Sequence, residues 1–574
     1  MSRIGRLCQG LARAYPWPVE ASDDLRRALD FLASDIGPAS VVRAGYVAGG
    51  LVALLATLCG SVVSLTPATL ALLALATGLL TTHAVHTTPT VLASVRRTTA
   101  LGDAPDLVGR AVLRLHVEPT AEGAAAFAAR TGDGPLAASL GRHVEGAVGR
   151  PAAGFDSFVA EWGASFPAIR RSCNLVVAAA DAPDGERART LDRAMAAVLR
   201  GTRERLAAFA AGIQGPATGV YAFGVLLPLA LVAVLPAARV AGVPVTIGTL
   251  VLVYDVALPA GLLAVSAWLL TRRPVAFPPP TVTREHPDVP NRPWRALGVG
   301  AVAGVLAAVT VPLFAPGWTR SLVVPAVAVG AALLVWFQPI VAVRDHARAV
   351  ESNLVDALYL TGRRVSEGEA VEASVAHAAS EVAGATGDTF AAAARRQRQL
   401  RVGVHEAFLG EHGALATVPS PRVRSTAALL ALAASEGAPA GRAIVSMADH
   451  LEDLQALDRE CRHDLSRVTG TLRSTATTFG PLVAGATVAL AEGMGGRSAG
   501  FADPAATGST ALPIPELGLA VGTYVLLLSV VLTVLSTGLQ YGFDRALLGV
   551  RVGRALPTAA LVYVVAFVVA GTVV

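Results

Sequence analysis

One segment of the chain has the spacing of a serine nucleophile. Residues 496–500 read GRSAG and match the pattern GxSxG, in which a sharp turn between a strand and a helix exposes the serine. Here the pattern lies in a glycine-rich stretch between two long apolar runs, without the alternation of a preceding strand. We therefore interpret it as a turn and expect no catalysis from Ser498.

The sequence also lacks complete motifs for binding a metal ion or a nucleotide. His405-Glu406 begins like the zinc motif HExxH, but Leu409 stands where the second histidine should be. The four cysteines are far apart, and all 47 basic residues are arginine. Without lysine, the chain cannot form a Walker A phosphate loop. We expect a protein that is not an enzyme and has no cofactor or metal, so any ATP-driven work would need an ATPase in another chain.

Two acidic residues lie inside apolar runs that are long enough to cross a membrane. They are Asp255, beside Tyr254, and Glu492, near the end of another run. Carboxylates at membrane depth are costly and mark either function or an interior pairing. For Asp255 we favour structural pairing over a proton relay, because few partners are visible in other runs. Glu492 is interpreted as reaching the outer surface.

The densest basic cluster lies far from those runs and consists of four arginines. They are Arg395, Arg396, Arg398 and Arg401. Three interpretations stay open: a solvated helix face, a contact with anionic lipid heads, or a contact with an acidic surface on a partner protein. Nucleic acid is not expected as a partner, because the net charge of +5 is small for 574 residues.

The elements that must position these residues are mostly membrane helices. Apolar residues make up 53% of the chain and charged residues only 16%, which is too little charge for a soluble protein of this length. About 20 apolar residues cross a bilayer as a helix. Uncharged runs of that length predict about nine spans: two in 43–88, then 218–236, 246–270, 296–319, 321–343, 476–493, 516–538 and 556–574.

Arginines near the ends of these spans predict the orientation. If the N-terminus is inside, the outer loops hold only Arg239, Arg320 and Arg497. The inner flanks then hold thirteen: Arg43, Arg96, Arg97, Arg203, Arg205, Arg272, Arg273, Arg344, Arg348, Arg473, Arg545, Arg551 and Arg554. Because basic residues favour the cytoplasmic side, we expect a multi-pass protein of the cytoplasmic membrane with its N-terminus inside and its C-terminus outside.

Two long polar segments, 89–217 and 344–475, then both lie in the cytoplasm and have helical periodicity. The predicted order is a cytoplasmic segment 1–42, a hairpin 43–88, a first helical domain 89–217, a transmembrane pair 218–270, a proline-rich extended linker 271–295, a hairpin 296–343, a second helical domain 344–475 and three spans in 476–574. Similar short motifs in the two domains predict an internal duplication. The fold class is therefore an all-α polytopic membrane protein with two helical bundles.

Each domain closes with a long helix that runs directly into a membrane span. The apolar stripe of the second such helix follows steps of three and four residues and is broken only by Asp458. Its members are Ile444, Met447, Leu451, Leu454, Cys461, Leu465, Val468 and Leu472, and the first copy has Leu191, Met195, Leu199, Thr202, Leu206, Phe209 and Ile213. Such helices predict either ordinary bundle packing or the transmission of force to the membrane.

These features together resemble a known family, the type II secretion F-domain. The best match is in the second copy: the segments 354–360 (LVDALYL), 367–375 (EGEAVEASV) and 434–437 (ASEG), followed by the helix from Arg442 to Arg473. Turn glycines Gly123 and Gly368 occupy similar places in the two copies. With the weaker first copy, the resemblance covers the two helical domains and the spans that follow them.

The resemblance implies a platform subunit of a type IV pilus, archaellum or type II secretion machine, and nine spans are closer to the archaeal branch. Such a subunit would bind a hexameric secretion ATPase, coordinate pilin or archaellin insertion and form a homo-oligomer, with dimers expected. The four clustered arginines and the two turn glycines would be candidate contacts for the ATPase. The alternative from another class is a repeat-built transporter or permease that uses Asp255.

Overall fold

A computed structural model describes residues 3–573 of the chain, apart from 33, 63–66, 133, 148–153, 241–245, 274–281, 283, 291, 437–438 and 499–513. The chain divides into two compact units. The first contains residues 1–100 and 271–273, and the second contains 101–270 and 274–574. Throughout the described residues every regular element is a helix, as the sequence predicted.

The first unit is built from four helices and a small apolar core. The helices are α1 (Arg3–Arg13), α2 (Asp23–Phe31), α3 (Pro38–Val62) and α4 (Pro67–Gly102), of which α4 extends two residues into the second unit. Helix α2 begins where the hydroxyl of Ser22 accepts a hydrogen bond from the Leu25 amide at 3.3 Å. Leu25 and Leu29 of α2 then pack against Val41 and Val42 of α3.

The second unit contains two helical modules with the same order of helices. The first module comprises α5 (Ala104–Val117), α6 (Ala121–Thr131), α7 (Gly134–Ala147), α8 (Phe155–Trp162), α9 (Pro167–Ala180) and α10 (Asp184–Tyr221). After the membrane helices α11 (Leu227–Val240), α12 (Ile247–Val251), α13 (Leu258–Thr271), α14 (Pro293–Thr310) and α15 (Arg320–Ser352) comes the second module. It comprises α16 (Leu354–Ser366), α17 (Val371–Glu381), α18 (Gly384–Leu400), α19 (Val404–Leu409), α20 (Pro421–Glu436) and α21 (Pro439–Ser474).

The positions of equivalent elements support the predicted duplication. Helices α5, α6 and α7 begin at residues 104, 121 and 134, and α16, α17 and α18 begin at 354, 371 and 384, a constant difference of 250. Gly134 and Gly384, at the start of the third helix of each module, have positive φ angles of 90° and 76°. Because glycine adopts this conformation without strain, the same sharp turn forms in both copies.

Eight helices are long and apolar enough to cross a membrane, judged over the described part of the chain. They are Pro38–Leu58, Gly185–Leu235, Ile247–Thr271, Pro293–Leu313, Gly317–Ser366, Gly441–Gly493, Ile514–Tyr541 and Arg545–Val573. In the longest three, the apolar window occupies only part of the helix. The protein is therefore a multi-pass membrane protein. The predicted ninth span corresponds to the first part of α4. The structure does not describe the side chains of several residues there.

The last three helices complete the membrane bundle: α22 (Gly480–Ser498), α23 (Ile514–Tyr541) and α24 (Arg545–Val573). Helix α24 packs along both α15 and α22. Its contact with α15 is a backbone approach at Gly330 and Gly553, where a Cβ on Gly330 would come within 2.7 Å of the Gly553 carbonyl oxygen. Small residues at such crossings allow membrane helices to pack closely without a hydrophobic driving force.

The described part of the proline-rich linker differs from the extended chain that the sequence predicted. Residues 284–290 form turns, with the Val289 amide donating to the His286 carbonyl at 3.0 Å. Val289 is buried against Ile340 and Val343 of α15. The Arg284 guanidinium stacks 3.3 Å from the centroid of the Trp336 ring. The connection is therefore compact here, because its buried contacts outweigh the preference of proline for extended backbone.

Candidate coupling site between the two helical modules

The closing helix of each module continues into the membrane bundle without a break. Helix α10 passes through a π-helical turn at Ala222–Leu226 into α11, and α21 passes through a π-helical turn at Thr475–Phe479 into α22. A third π-turn, Leu252–Ala257, joins α12 to α13. Each π-turn is followed two residues later by a proline, namely Pro228, Pro481 and Pro259. Since proline lacks the amide that an α-helix requires, the wider turn accommodates it without ending the helix.

Buried tyrosines satisfy the carbonyls near the first of these turns. In a regular helix the Gly224 carbonyl would accept from the amide of residue 228, which is proline and has none. The hydroxyl of Tyr524, on α23, donates to that carbonyl instead. The hydroxyl of Tyr254 donates to the Pro228 carbonyl at 2.6 Å, and the rings of the two tyrosines meet edge to face at 5.5 Å. The first proline is thus fixed by side chains from two other membrane helices.

The two closing helices, α10 and α21, pack against each other below the modules. Leu206 and Leu457 form a small buried cluster between them. Beside it, the Arg203 Nε donates to Glu460 Oε2 at 2.9 Å. The predicted apolar stripes are confirmed as the packed faces, since Leu191, Ile213, Ile444, Leu451, Leu465 and Leu472 are buried. Because α10 and α21 are in direct contact, a displacement of either module acts on both closing helices.

A cavity of about 650 Å³ lies between the two modules. It is bordered by α5 on one side, by α15, α20 and α21 on the other, and by the turn between α23 and α24. Its lining mixes apolar residues such as Leu113, Phe127 and Met447 with several charged ones. The charged residues are Asp103, Asp106, Arg110, Arg348, Glu351, Arg422, Asp458, Arg462 and Asp544.

The arginines of this cavity are already neutralised on their own walls. Arg110 and Asp106 of α5 are 2.8 Å apart, and Arg462 and Asp458 of α21 are 3.0 Å apart. Arg422 of α20 lies 3.8 Å from Glu351 of α15. The ion pair between the modules is instead Arg203–Glu460, which joins the two closing helices.

Ser425, His450 and Asp458 also border the cavity, but they do not form a catalytic triad. The Ser425 hydroxyl donates to the Arg422 carbonyl at 2.9 Å, and Asp458 accepts from Arg462. A triad needs the serine hydrogen-bonded to the histidine and the histidine to the acid. Across the described residues, no group of histidine, cysteine and carboxylate side chains could hold a metal ion.

Two histidines face each other where the first module meets the second. His116 of α5 has its Nδ1 3.0 Å from the Val112 carbonyl oxygen, and His450 of α21 is buried. Burial lowers the pKa of His450 to about 4, with a smaller contribution from His116, while Asp192 of α10 opposes the shift. Burial also lowers the pKa of His116, against the Val112 carbonyl and Asp192. The contact therefore favours two neutral imidazoles.

A buried ion pair joins α15, the helix that leads into the second module, to the turn before α24. Arg344, near the end of α15, pairs with Asp544, whose side chain is almost fully buried. Asp544 also caps α24, accepting hydrogen bonds from the amides of Ala546 and Leu547 at 3.0 and 3.1 Å. The sequence did not predict this pair. It does show an acidic residue directly before one apolar helix and an arginine near the end of another, which is the local pattern that marks the two positions.

The four clustered arginines lie at the C-terminal end of α18. Arg395, Arg398 and Arg401 are exposed, and Arg401 has a left-handed φ of 54° that ends the helix. Leu400 beside them is 64% exposed. Arg396 is different, because its Nε donates to the His412 carbonyl at 2.7 Å and thereby braces the following loop. Three of the four side chains are thus presented to solvent.

The two turn glycines are not equivalent in the structure. Gly368 lies in the turn between α16 and α17 and has a φ of 93°, as a turn glycine should. Gly123 lies inside α6, three residues from its start, and the turn before it consists of residues 118–120. Their pairing by sequence was therefore wrong by five positions, since 368 − 250 = 118. Neither glycine lies beside the exposed arginines in the chain.

No family model, curated protein or solved structure matches the chain. The features of this site are therefore those of its own residues: helix packing, ion pairs and an exposed basic end.

The two acidic residues predicted at membrane depth have different surroundings. Asp255 lies in the π-turn of the Ile247–Thr271 helix, and its buried Oδ1 has no hydrogen-bond partner. The expected structural pairing is therefore not formed by that oxygen. Glu492 is exposed near the end of α22. Residues 496–498 of the GxSxG pattern continue α22, and residues 499–500 lie outside the described part of the chain.

Proposed function

We propose that this protein is the membrane platform subunit of a pilus-like assembly or secretion machine. In this function a separate hexameric ATPase acts on the helical modules in the cytoplasm, and the platform coordinates insertion of pilin or archaellin subunits. The resemblance of the second module to the F-domain suggested the function. The F-domain resemblance also favours an assembly of two copies in the cytoplasmic membrane.

The observation that carries the proposal is the unbroken course of the two closing helices. From Asp184 to Val240 and from Pro439 to Ser498, each helix joins a module to the membrane bundle. At 1.5 Å per residue, each path is about 85 to 90 Å long. Since a helix transmits axial force and rotation well, work done on a module reaches the bilayer.

The supply of energy from another chain agrees with the composition. No lysine exists for a phosphate loop. The second module instead presents Arg395, Arg398 and Arg401, which are exposed and, among the described residues, form no ion pair with a carboxylate. Exposed unpaired cations favour association with an acidic protein surface. We place both modules in the cytoplasm on the distribution of arginines around the spans.

The first test is association with the cognate secretion ATPase. The full-length protein, purified in detergent or nanodiscs, should retain the ATPase encoded beside it, and deletion of its gene should remove surface filaments. If no ATPase is retained and filaments persist after deletion, the proposal is wrong.

The second test interrupts one closing helix. Insertion of two glycines after Gly470 adds flexible residues between module and membrane, and should abolish filaments while leaving the ATPase bound. The same insertion after His412, in a loop of the second module, is the matched control and should preserve filaments. Normal filaments with the Gly470 insertion would show that helix continuity is not needed.

A transporter or permease remains the second candidate, and one observation favours it. The buried Oδ1 of Asp255 without a partner, in a π-turn within a membrane helix, is the kind of group that binds an ion or a proton. Transport of a substrate into proteoliposomes that is lost in Asp255→Asn would support this candidate. Asp255→Asn should leave filament assembly intact if the platform function is right.

A further inference from the structure

Helix α1 has three distinct faces, which follow from its sequence and its packing. At about 100° per residue, Gly5, Cys8 and Ala12 share one face. Gly5 and Ala12 are buried, helix α1 packs on α3, and the Cys8 Sγ lies 3.7 Å from the Ser40 carbonyl oxygen. This face is therefore used to attach α1 to the membrane helix α3.

A second face of α1 is apolar and partly exposed. Leu7 and Leu11 lie about 40° apart on the helix. Leu7 is 68% exposed, and an open groove runs along Arg6, Leu7, Gly10 and Leu11. Beside a membrane helix, such an exposed apolar face is suited to contact with lipid acyl chains.

The third face is basic. Arg6 and Arg13 lie about 20° apart, adjoin the apolar face and are both exposed. The segment before Glu20 contains no carboxylate side chain that could neutralise them. Apolar and basic faces side by side, on a helix attached to a membrane span, are the pattern of a helix that lies in the bilayer interface.

Aromatic residues mark the same level of the first unit. Trp17, which follows α1, is 62% exposed and meets the Tyr15 ring edge to face at 5.1 Å. Tyr15 is 5.3 Å from Tyr46 of α3, and Tyr46 is 5.1 Å from His86 of α4. Tryptophan and tyrosine are enriched where membrane helices leave the hydrocarbon region, so this cluster places α1 at headgroup depth.

We propose that α1 is an interfacial anchor that binds the surface of a bilayer containing anionic lipids. Leu7 and Leu11 insert between the headgroups and acyl chains, while Arg6 and Arg13 contact lipid phosphates. The anchor holds the end of α3 at a fixed depth and does not depend on the platform function.

The test measures amide hydrogen exchange in α1 of the full-length protein, reconstituted in nanodiscs of phosphatidylcholine alone or with 30% phosphatidylglycerol. Exchange should be slower with the anionic lipid, and the double variant Arg6→Gln/Arg13→Gln should lose that protection by about 30-fold, at one kcal/mol per arginine. High salt should reduce the protection as well.

The matched control removes the same charge from α2. Arg26 and Arg27 pair with Asp23 and Asp24 of their own helix at 3.5 and 2.6 Å. Arg26→Gln/Arg27→Gln should leave exchange in α1 unchanged, and exchange in α3 should be the same in every variant. The proposal is overturned if α1 exchanges equally in both bilayers, as an acidic protein partner would predict, or if the control variant loses the same protection.

Discussion

The first and second helical modules share their turns and their cores and differ at one exposed end. Phe158 packs edge to face with His143 in the first module, and Phe408, 250 residues later, packs edge to face with Phe390 in the second. Position 395 of the second module is arginine and exposed, whereas its counterpart in the first, 395 − 250 = 145, is glutamate. The two modules therefore share a buried aromatic position and differ in charge at this exposed one.

The modules also differ in how they enter the membrane bundle. The second is reached through α15, which the buried pair Arg344–Asp544 fixes within the second unit. The first is reached through α4, most of which belongs to the first unit. We infer that the second module is the more firmly held of the two.

The largest effect should come from removing that buried ion pair. Asp544→Asn keeps the shape but leaves Arg344 buried with its charge unpaired, which costs about 3 to 5 kcal/mol. Hydrogen exchange should show lost protection in α15–α18 and little change in α6–α8. Asp345→Asn, in the exposed pair with Arg348, is the control and should cost under about 1 kcal/mol. Equal loss in both modules would remove the distinction drawn above.

The difference in surface charge can be tested by binding. The triple change of Arg395, Arg398 and Arg401 to glutamine should weaken capture of the ATPase by up to roughly 100-fold, measured by titration with the protein in nanodiscs. The matching change in the first module, at the exposed Arg142, Arg170 and Arg171, should have little effect. If both triples weaken binding equally, overall charge and not the second module's end recruits the partner.

The proline-containing exit of the first module can be compared with a regular stretch of α23 through two buried tyrosines. Tyr524→Phe removes a donor from the Gly224 carbonyl, whose regular helical partner would be the amide that Pro228 lacks, and should cost about 1 to 2 kcal/mol. Tyr563→Phe removes a hydroxyl that donates to the Gly518 carbonyl at 2.8 Å, which a regular helical amide at Gly522 can still satisfy. Unfolding in mixed detergent micelles should show a clearly smaller loss for Tyr563→Phe.

The smallest effect concerns pH at the contact between the modules. Because the pKa of His450 is about 4 in the folded protein and near 6.5 when unfolded, the unfolded state binds more protons between these values. Stability is therefore full above pH 6.5 and should fall by about 1 kcal/mol by pH 5.5. His450→Leu should flatten this slope in thermal unfolding curves, whereas His405→Leu, at an exposed position, should not.

The sequence predicted the all-helical architecture well, because uncharged runs and three-to-four spacing are local signals. The stripes on α10 and α21 are examples, and so is the turn at Gly368. Gly123 was misplaced because a short motif was aligned without knowing where the helix starts. The pairing of Arg344 with Asp544 joins residues 200 positions apart in the chain, and the local sequence marks each as a charge near a helix end without showing its partner. Apolar stripes show that a face is covered but not which helix covers it.

The π-turns have a practical consequence for anyone who counts positions along these helices. Each inserts one surplus residue, which rotates everything downstream by about 100° relative to a regular helix. A heptad assigned in α10 or α21 loses its phase beyond Leu226 or Phe479. Cysteine-scanning and labelling experiments that keep one register across the boundary would assign lipid-facing and bundle-facing positions to the wrong sides, so the numbering of faces has to restart at Leu227 and at Gly480.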